Sequence, residues 1–238
     1  MFASHVIPMS LLRTFIILIA LVSLPAVARA DVITFFDFND ENLTSDRGMR
    51  PTTITTNFAS TGVDYDAGSS VNADPDDSGP LTASSAGRAL KLIGNSNNAK
   101  SITLSVNTTG YNAIQISFAT RRTTTGFNSN QFQYSVDGGA TFINFGAPFN
   151  PTTSTTFALQ TFDLSGITTL NNNPNAVFRI LFNGASSATG STRIDNLLVE
   201  GTLLPRDLPP TATPEPATFA LLGAGLTGML SQLSRRRK

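Results

Sequence analysis

Along this chain, apolar positions recur at intervals of two rather than of three and four. The alternation is cleanest at Ile102, Leu104 and Val106, at Ile114, Ile116 and Phe118, and at Phe178, Ile180 and Phe182. That period sends one face of an extended segment into a core and leaves the other to solvent. Gly, Asn, Asp and Pro separate the runs, as they separate strands. The pattern predicts strands over 32–38, 52–58, 88–93, 100–106, 113–119, 131–136, 141–145, 157–164, 176–182 and 193–200, with no helix among them. Short strands at such spacing make an all-β domain of two packed antiparallel sheets, a β-sandwich or jelly roll. Asp137-Gly138-Gly139, between Tyr134 and Phe142, predicts a hairpin turn with positive φ. Residues 63–86, rich in Asp, Ser, Gly and Pro, read as a long loop or insertion.

The two ends break this pattern. After Arg13 comes an apolar run that stops at Pro25, and Ala28 and Ala30 frame an A-x-A site ahead of Asp31. Residues 1–30 therefore read as a signal peptide removed by signal peptidase. The sandwich is expected over 31–204, and Pro205, Pro209 and Pro210 stiffen a linker over 205–213. Residues 217–233 are mostly apolar and predict a single transmembrane helix of about 26 Å at 1.5 Å per residue, just short of the hydrocarbon thickness. Arg235, Arg236, Arg237 and Lys238 then hold the terminus on the cytoplasmic side of the inner membrane.

Pro214-Glu215-Pro216, then an apolar segment with Gly223, Gly225 and Gly228, then the basic terminus resembles the PEP-CTERM sorting signal of Gram-negative bacteria that make extracellular polysaccharide. The resemblance covers the tail, 214–238. It implies that the chain is a substrate of exosortase, an integral-membrane cysteine transpeptidase that cuts near the motif. It implies also a passage from a transient inner-membrane anchor to the cell surface or extracellular matrix. Ser231 and Gln232 depart from the family by making the end of the span more polar. The stretch LPRDL at Leu204 lacks the Thr-Gly of the Gram-positive sortase motif.

Charge and composition narrow the chemistry of the domain. Only 13% of residues are charged, so the surface is hydrogen-bonding rather than ionic. From Asp31 to Thr213 there are 10 Lys and Arg against 15 Asp and Glu, a net charge of −5 that excludes a nucleic-acid partner. There is no cysteine, and the one histidine, His5, lies in the signal peptide. Disulfides, thiolate metal sites, Ser-His-Asp triads and histidine bases are excluded with them.

Carboxylates remain. Asp64, Asp66, Asp74, Asp76 and Asp77 fall in the polar stretch and read as solvated turn residues, so a carboxylate-dependent hydrolase is the least favoured reading. Calcium suits the hard oxygen ligands present, and no other cofactor is expected. Asp37 and Asp40 follow the first strand and Asp195 lies on the last, so pairing of the terminal strands would gather them. The alternative is that they cap turns or pair with Arg193 or Arg179; the run at Asp74 is a second calcium candidate. For sugar stacking there is no Trp and only Tyr65, Tyr111 and Tyr134. Arg121 and Arg122 open a Thr-rich loop and either meet acidic polysaccharide or are simply solvated.

YSVDGGATF and RIDNLLVEG resemble segments of exported jelly-roll domains, including carbohydrate-binding modules. The expectation is a non-enzymatic surface or matrix protein with an adhesive or structural role toward exopolysaccharide. The main alternative is a carbohydrate-binding module with one defined groove.

Overall fold

A computed structural model describes residues 30–73 and 86–204. The alternating segments become β1 (Ala30–Phe36), β2 (Ile54–Thr56), β3 (Val63–Ala67), β4 (Arg88–Ile93), β5 (Lys100–Val106), β6 (Tyr111–Arg122), β7 (Gln131–Ser135), β8 (Ile143–Asn144), β9 (Ala158–Asp163), β10 (Ala176–Phe182) and β11 (Ser191–Leu203). They form two antiparallel sheets. One runs β3-β4-β11-β6-β9, with β1 added along the second half of β11, and the other runs β2-β5-β10-β7-β8. The all-β sandwich predicted from the alternation is present. Leu203 ends the unit that holds both sheets. The predicted linker 205–213, sorting tail 214–238 and transmembrane helix 217–233 lie outside the described residues, as do Ala28 and the signal peptide up to its last residue. Among the described residues no helix is long and apolar enough to cross a membrane.

Phenylalanine fills the space between the sheets. Phe36, Phe38, Phe118, Phe127, Phe132 and Phe182 are fully buried, each worth roughly 1.5–3 kcal/mol relative to exposure. Phe132 of the five-stranded sheet stacks on Phe162 of the six-stranded one with centroids 4.1 Å apart and planes 11° apart. Phe58, Phe127 and Phe182 meet edge to face at 5.6–5.7 Å, the arrangement their quadrupoles favour. The apolar members of the three alternating triplets are all in this core, together with Tyr111 and Tyr134.

At β2 and β8 polar side chains shorten the expected strands. β2 shrinks because Thr52 Oγ1 donates to the Ser105 carbonyl and Asn57 Oδ1 accepts the Ser101 N–H, replacing backbone rungs with side-chain bonds. β8 is short because Asp137 accepts from the Thr141 N–H and hydroxyl and curls 137–141 into a turn. In that turn Gly138 and Gly139 take the predicted positive φ, 75° and 90°. A short edge strand also resists pairing with another chain. β3 is the element that the loop reading of 63–86 overlooks. Val63 and Tyr65 pack on the core while Asp64 and Asp66 face outward to Lys91, a period-two pattern disguised by its acids.

Candidate functional site

The strand ends bring the predicted acids to one region. β1 pairs with β11 so that Phe36 lies opposite Leu197, which sets Asp37 beside a bulge in β11 between Asp195 and Leu198. Asn196 in the bulge has φ 49°. Ile194 points into the core, so alternation turns Asp195 to the outer face of the six-stranded sheet, beneath residues 68–73, and the bulge that follows returns Leu197 to the core. Asp195 is 1% exposed. Its Oδ2 accepts the Ser69 N–H at 2.5 Å and its Oδ1 the Asn196 N–H at 2.9 Å. Asn196 Nδ2 donates to the carbonyls of Ser69 and Val71, and Asn72 Nδ2 donates back to the Asn196 carbonyl, so the loop is laced to the strand. Burial, opposed by the two backbone bonds and reinforced by the charge of Asp37, pushes the Asp195 carboxyl up to about 8.

Beside it is a space that only glycine leaves open. A Cβ at Gly68 would stand 2.1 Å from the Ala86 carbonyl oxygen and 2.6 Å from Asp195 Oδ2, so those two oxygens face the same small cradle. Asp37 Oδ1 accepts the Asn39 N–H, and the Asp37 N–H donates to Asp46 Oδ2 at 2.8 Å. Asp40 accepts from the backbone and side chain of Asn42. Its charge acts on Asp46, which burial and the charges of Asp37 and Asp40 raise to about 6 despite the Asp37 N–H. Asp46 carried no sequence signal, lying in a short Ser-Asp-Arg-Gly turn. Asp37 thus acts on both Asp46 and Asp195, whereas Asp40 acts on Asp46. Among the described residues no three acidic side chains gather into one metal-binding group. Neither candidate arginine pairs with these acids: Arg193 bonds Asp66, and Arg179 bonds Gln133. Asp74, Asp76 and Asp77 lie outside the described residues.

A second constellation crosses the other sheet. Register places Thr55, Thr103, Arg179, Gln133 and Asn144 in one line across β2, β5, β10, β7 and β8. Their neighbours Ile54, Leu104, Phe178, Ile180, Phe132 and Tyr134 point into the core, so the line faces outward. Arg179 Nε donates to Gln133 Oε1 at 2.7 Å, and Gln133 Nε2 donates to Asn144 Oδ1 at 2.7 Å. The Arg179 guanidinium lies 3.5 Å from the centroid of the Phe142 ring, and this desolvation lowers its pKa. The turn held by Asp137 carries Phe142 over this outer face. Hydrogen bonds from Ser135 and Thr141 hold the Asp137 carboxyl well below its ordinary range. Nothing in the sequence marks this row, because it exists only through the register of five strands. The three tyrosines do not contribute: Tyr111 and Tyr134 are core residues and Tyr65 packs against the core.

Among solved structures, the chain is similar to the xylan-binding domain from Paenibacillus barcinonensis Xyn10C, at 13% identity and TM-score 0.46, covering 75% of this chain and 99% of that one. It is similar also to domain 4 of an extracellular arabinanase from Geobacillus stearothermophilus, at 15% identity and TM-score 0.42, over 74% and 94%. A family 29 carbohydrate-binding module from Piromyces equi matches at 12% identity and TM-score 0.38, over 74% and 93%. The comparison with curated proteins found no match. The family model of the PEP-CTERM protein-sorting motif matches residues 212–238, the segment in which Pro214-Glu215-Pro216, the glycine-rich apolar run and the terminal arginines follow in order. The chain carries a PEP-CTERM sorting motif at its C-terminus.

Proposed function

We propose that this is an exported, non-enzymatic surface or matrix protein whose β-sandwich associates with exopolysaccharide. Signal peptidase removes residues 1–30. The tail pauses in the inner membrane with Arg235, Arg236, Arg237 and Lys238 on the cytoplasmic side, and an exosortase-like transpeptidase reads Pro214-Glu215-Pro216 and releases the domain outward.

The observation that carries the polysaccharide reading is the row Thr55, Thr103, Arg179, Gln133 and Asn144. A polysaccharide chain offers rows of hydroxyls between apolar C–H faces, and this row offers donors and acceptors beside the Phe142 ring. Because Arg179, Gln133 and Asn144 already hold one another, little rotamer entropy remains to be lost on binding. Four of the described acids are already engaged, Asp64 and Asp66 by Lys91, Glu41 by Arg88 and Glu200 by Gln115, and none of the described acids lies in the row itself, which supports a binding role for this face.

Calcium belongs to the same proposal as a structural ion. A buried carboxylate that meets only two N–H groups, a carbonyl oxygen converging on the same cradle and a second carboxylate nearby form the oxygen set that a hard divalent cation takes. Asp195, the Ala86 carbonyl and Asp37 would hold it, with Asp40 adding negative charge through Asp46. The ion would offset the buried charge.

The test is retention of the purified chain in gels containing exopolysaccharide. The double substitution Gln133→Ala and Asn144→Ala removes two links of the row from the outer face without touching the core. It is expected to weaken retention about tenfold, the scale of one or two lost hydrogen bonds, with the melting temperature unchanged. Undiminished retention would remove the sheet face from the proposal. A glycan array separates general adhesion from a module with one defined ligand.

A further inference from the structure

The outer face of the six-stranded sheet holds a cationic pocket that the proposed function does not use. Arg121, Arg122, Thr123, Ser191 and Arg193 line a cavity of about 150 Å³ at the end of β6 and the start of β11. No acidic residue lines it. Arg121 and Arg193 are direct cross-strand partners, an arrangement in which like charges repel. Arg193 is neutralised by Asp66, which Lys91 shares. The other two guanidinium groups have no carboxylate among the described residues. Arg122 donates only to neutral oxygens, those of Asn150, Pro151, Thr123 and Thr124. Arg121 donates once, from Nη1 to the Thr155 carbonyl at 2.9 Å, and lies 5.0 Å from the centroid of the Phe157 ring. Its Nε is shut off from water with no hydrogen-bond partner.

Each of these features costs stability. A buried guanidinium N–H without an acceptor forfeits its hydration, and Arg121 stands as an uncompensated positive charge opposite Arg193 in a domain that is acidic overall. An anion in the cavity would offset this charge. Arg121 is held by Phe157 and Thr155, so its remaining donors are pre-oriented, and a planar guanidinium suits a planar carboxylate better than an ammonium does. The cavity is well below the size of a drug-sized pocket and fits one anionic group on a larger molecule.

We infer that the pocket of Arg121, Arg122 and Arg193 binds the carboxylate of a uronic-acid residue, so that the polysaccharide of the proposed function, on which this inference rests, is an acidic one. The row on the five-stranded sheet would contact sugar hydroxyls, while this pocket on the other sheet selects charge.

The experiment compares polygalacturonate with its fully methyl-esterified form, which keeps the backbone and removes the charge, in affinity gels at low salt with the full chain. The free acid is expected to bind about tenfold more tightly than the ester, as one charge-assisted pair provides, and less so as salt screens it. Arg121→Gln should abolish the preference and Arg121→Lys should restore only part of it, while binding of the ester stays unchanged in both. Equal binding of acid and ester by the wild-type chain, a comparison that needs no variant, would overturn the inference and leave the sheet-face reading standing. A preference that survives Arg121→Gln would overturn it as well. If the acid alone binds, loses its preference with Arg121→Gln and ignores Gln133→Ala with Asn144→Ala, the pocket stands and the sheet face falls. If neither form binds, the inference falls, and retention in the exopolysaccharide gels decides the sheet-face reading on its own.

Discussion

Replacing Asp195 by Asn probes the cation site with almost no change in shape. Asp195 is 1% exposed, and its two oxygens accept the N–H groups of Ser69 and Asn196. Asn keeps one of these acceptors and sets an amide against the other N–H, a loss of about 1 kcal/mol. It also removes a carboxyl group that burial holds protonated up to about pH 8, and a group neutral in the fold but ionised in the unfolded chain costs stability at pH 7 by more than that hydrogen bond contributes. In chelator at pH 7 the variant should therefore melt above wild type, by roughly 2–4 °C per kcal/mol of the difference for a domain of this size. Calcium separates the proteins. An ion that binds only the folded wild type stabilises it by about 2.7 kcal/mol at a hundred times its dissociation constant, or about 5–10 °C. The variant, lacking the charged ligand, should gain little. Differential scanning calorimetry of both proteins in excess chelator and in millimolar calcium makes the comparison. A wild-type melt that does not move between the two conditions removes calcium from the proposal. A variant that keeps the full calcium response removes Asp195 as its ligand.

Two further expectations concern the turn under Phe142 and the tail. Hydrogen bonds from Ser135 and Thr141 depress the Asp137 carboxyl from its ordinary value near 3.8, so its contribution is present above that value and is lost as pH falls through the lower folded one. Asp137→Asn should therefore lower the melting temperature at pH 6 and converge with wild type in strong acid; a difference independent of pH would exclude the carboxylate as its cause. Replacing Pro214, Glu215 and Pro216 together by Ala should leave the protein uncleaved in the inner-membrane fraction. The same processed C-terminus in the medium, read by mass spectrometry, would overturn the sorting proposal.

What the sequence made legible follows from the range of the interactions involved. β4, β5 and β10 begin and end at the predicted residues, because turn-forming residues bound them, Gly87 and Gly94 around β4, Asn107 after β5 and Asn175 and Asn183 around β10, a signal that needs only the immediate neighbourhood to be read. β3 was missed because Asp64 and Asp66, which suggest a loop in isolation, find Lys91 and Arg193 on strands distant in sequence. Which face Phe142 covers is not encoded locally either: it follows a glycine turn, and only the contact with Arg179 across the sheet decides it. The acids divide in the same way. Asp37 and Asp195 were identifiable from the expected pairing of terminal strands. Asp46 and the glycine cradle at Gly68 depend on where loops fold back, which no periodicity encodes. The sorting motif was the most legible part, since its signal is linear order at a terminus and requires no fold at all.

The order of synthesis gives the placement of β11 a consequence for export. Among the described residues β11 is the last strand made, yet it is central: it pairs with β1, with β4 and with β6, and no other described strand joins those three. Until residues 191–203 are available, β1 has no strand to pair with, β4 and β6 each lack a neighbour, and Ile194, Leu197 and Val199 are missing from the core. The six-stranded sheet therefore cannot close around a partly synthesised chain, and its non-local pairing carries the loop-closure cost that slows folding. A chain that must cross the membrane unfolded is served by this arrangement, because the strand that completes the sheet comes immediately before the linker and tail. The Asp195 site is built the same way, from the end of β1, residues 68–73 and the bulge in β11, so it too forms only when the last strand arrives. In the proposed pathway that moment falls after the domain has crossed and while the tail is still held, outside the cell's interior and within reach of external calcium.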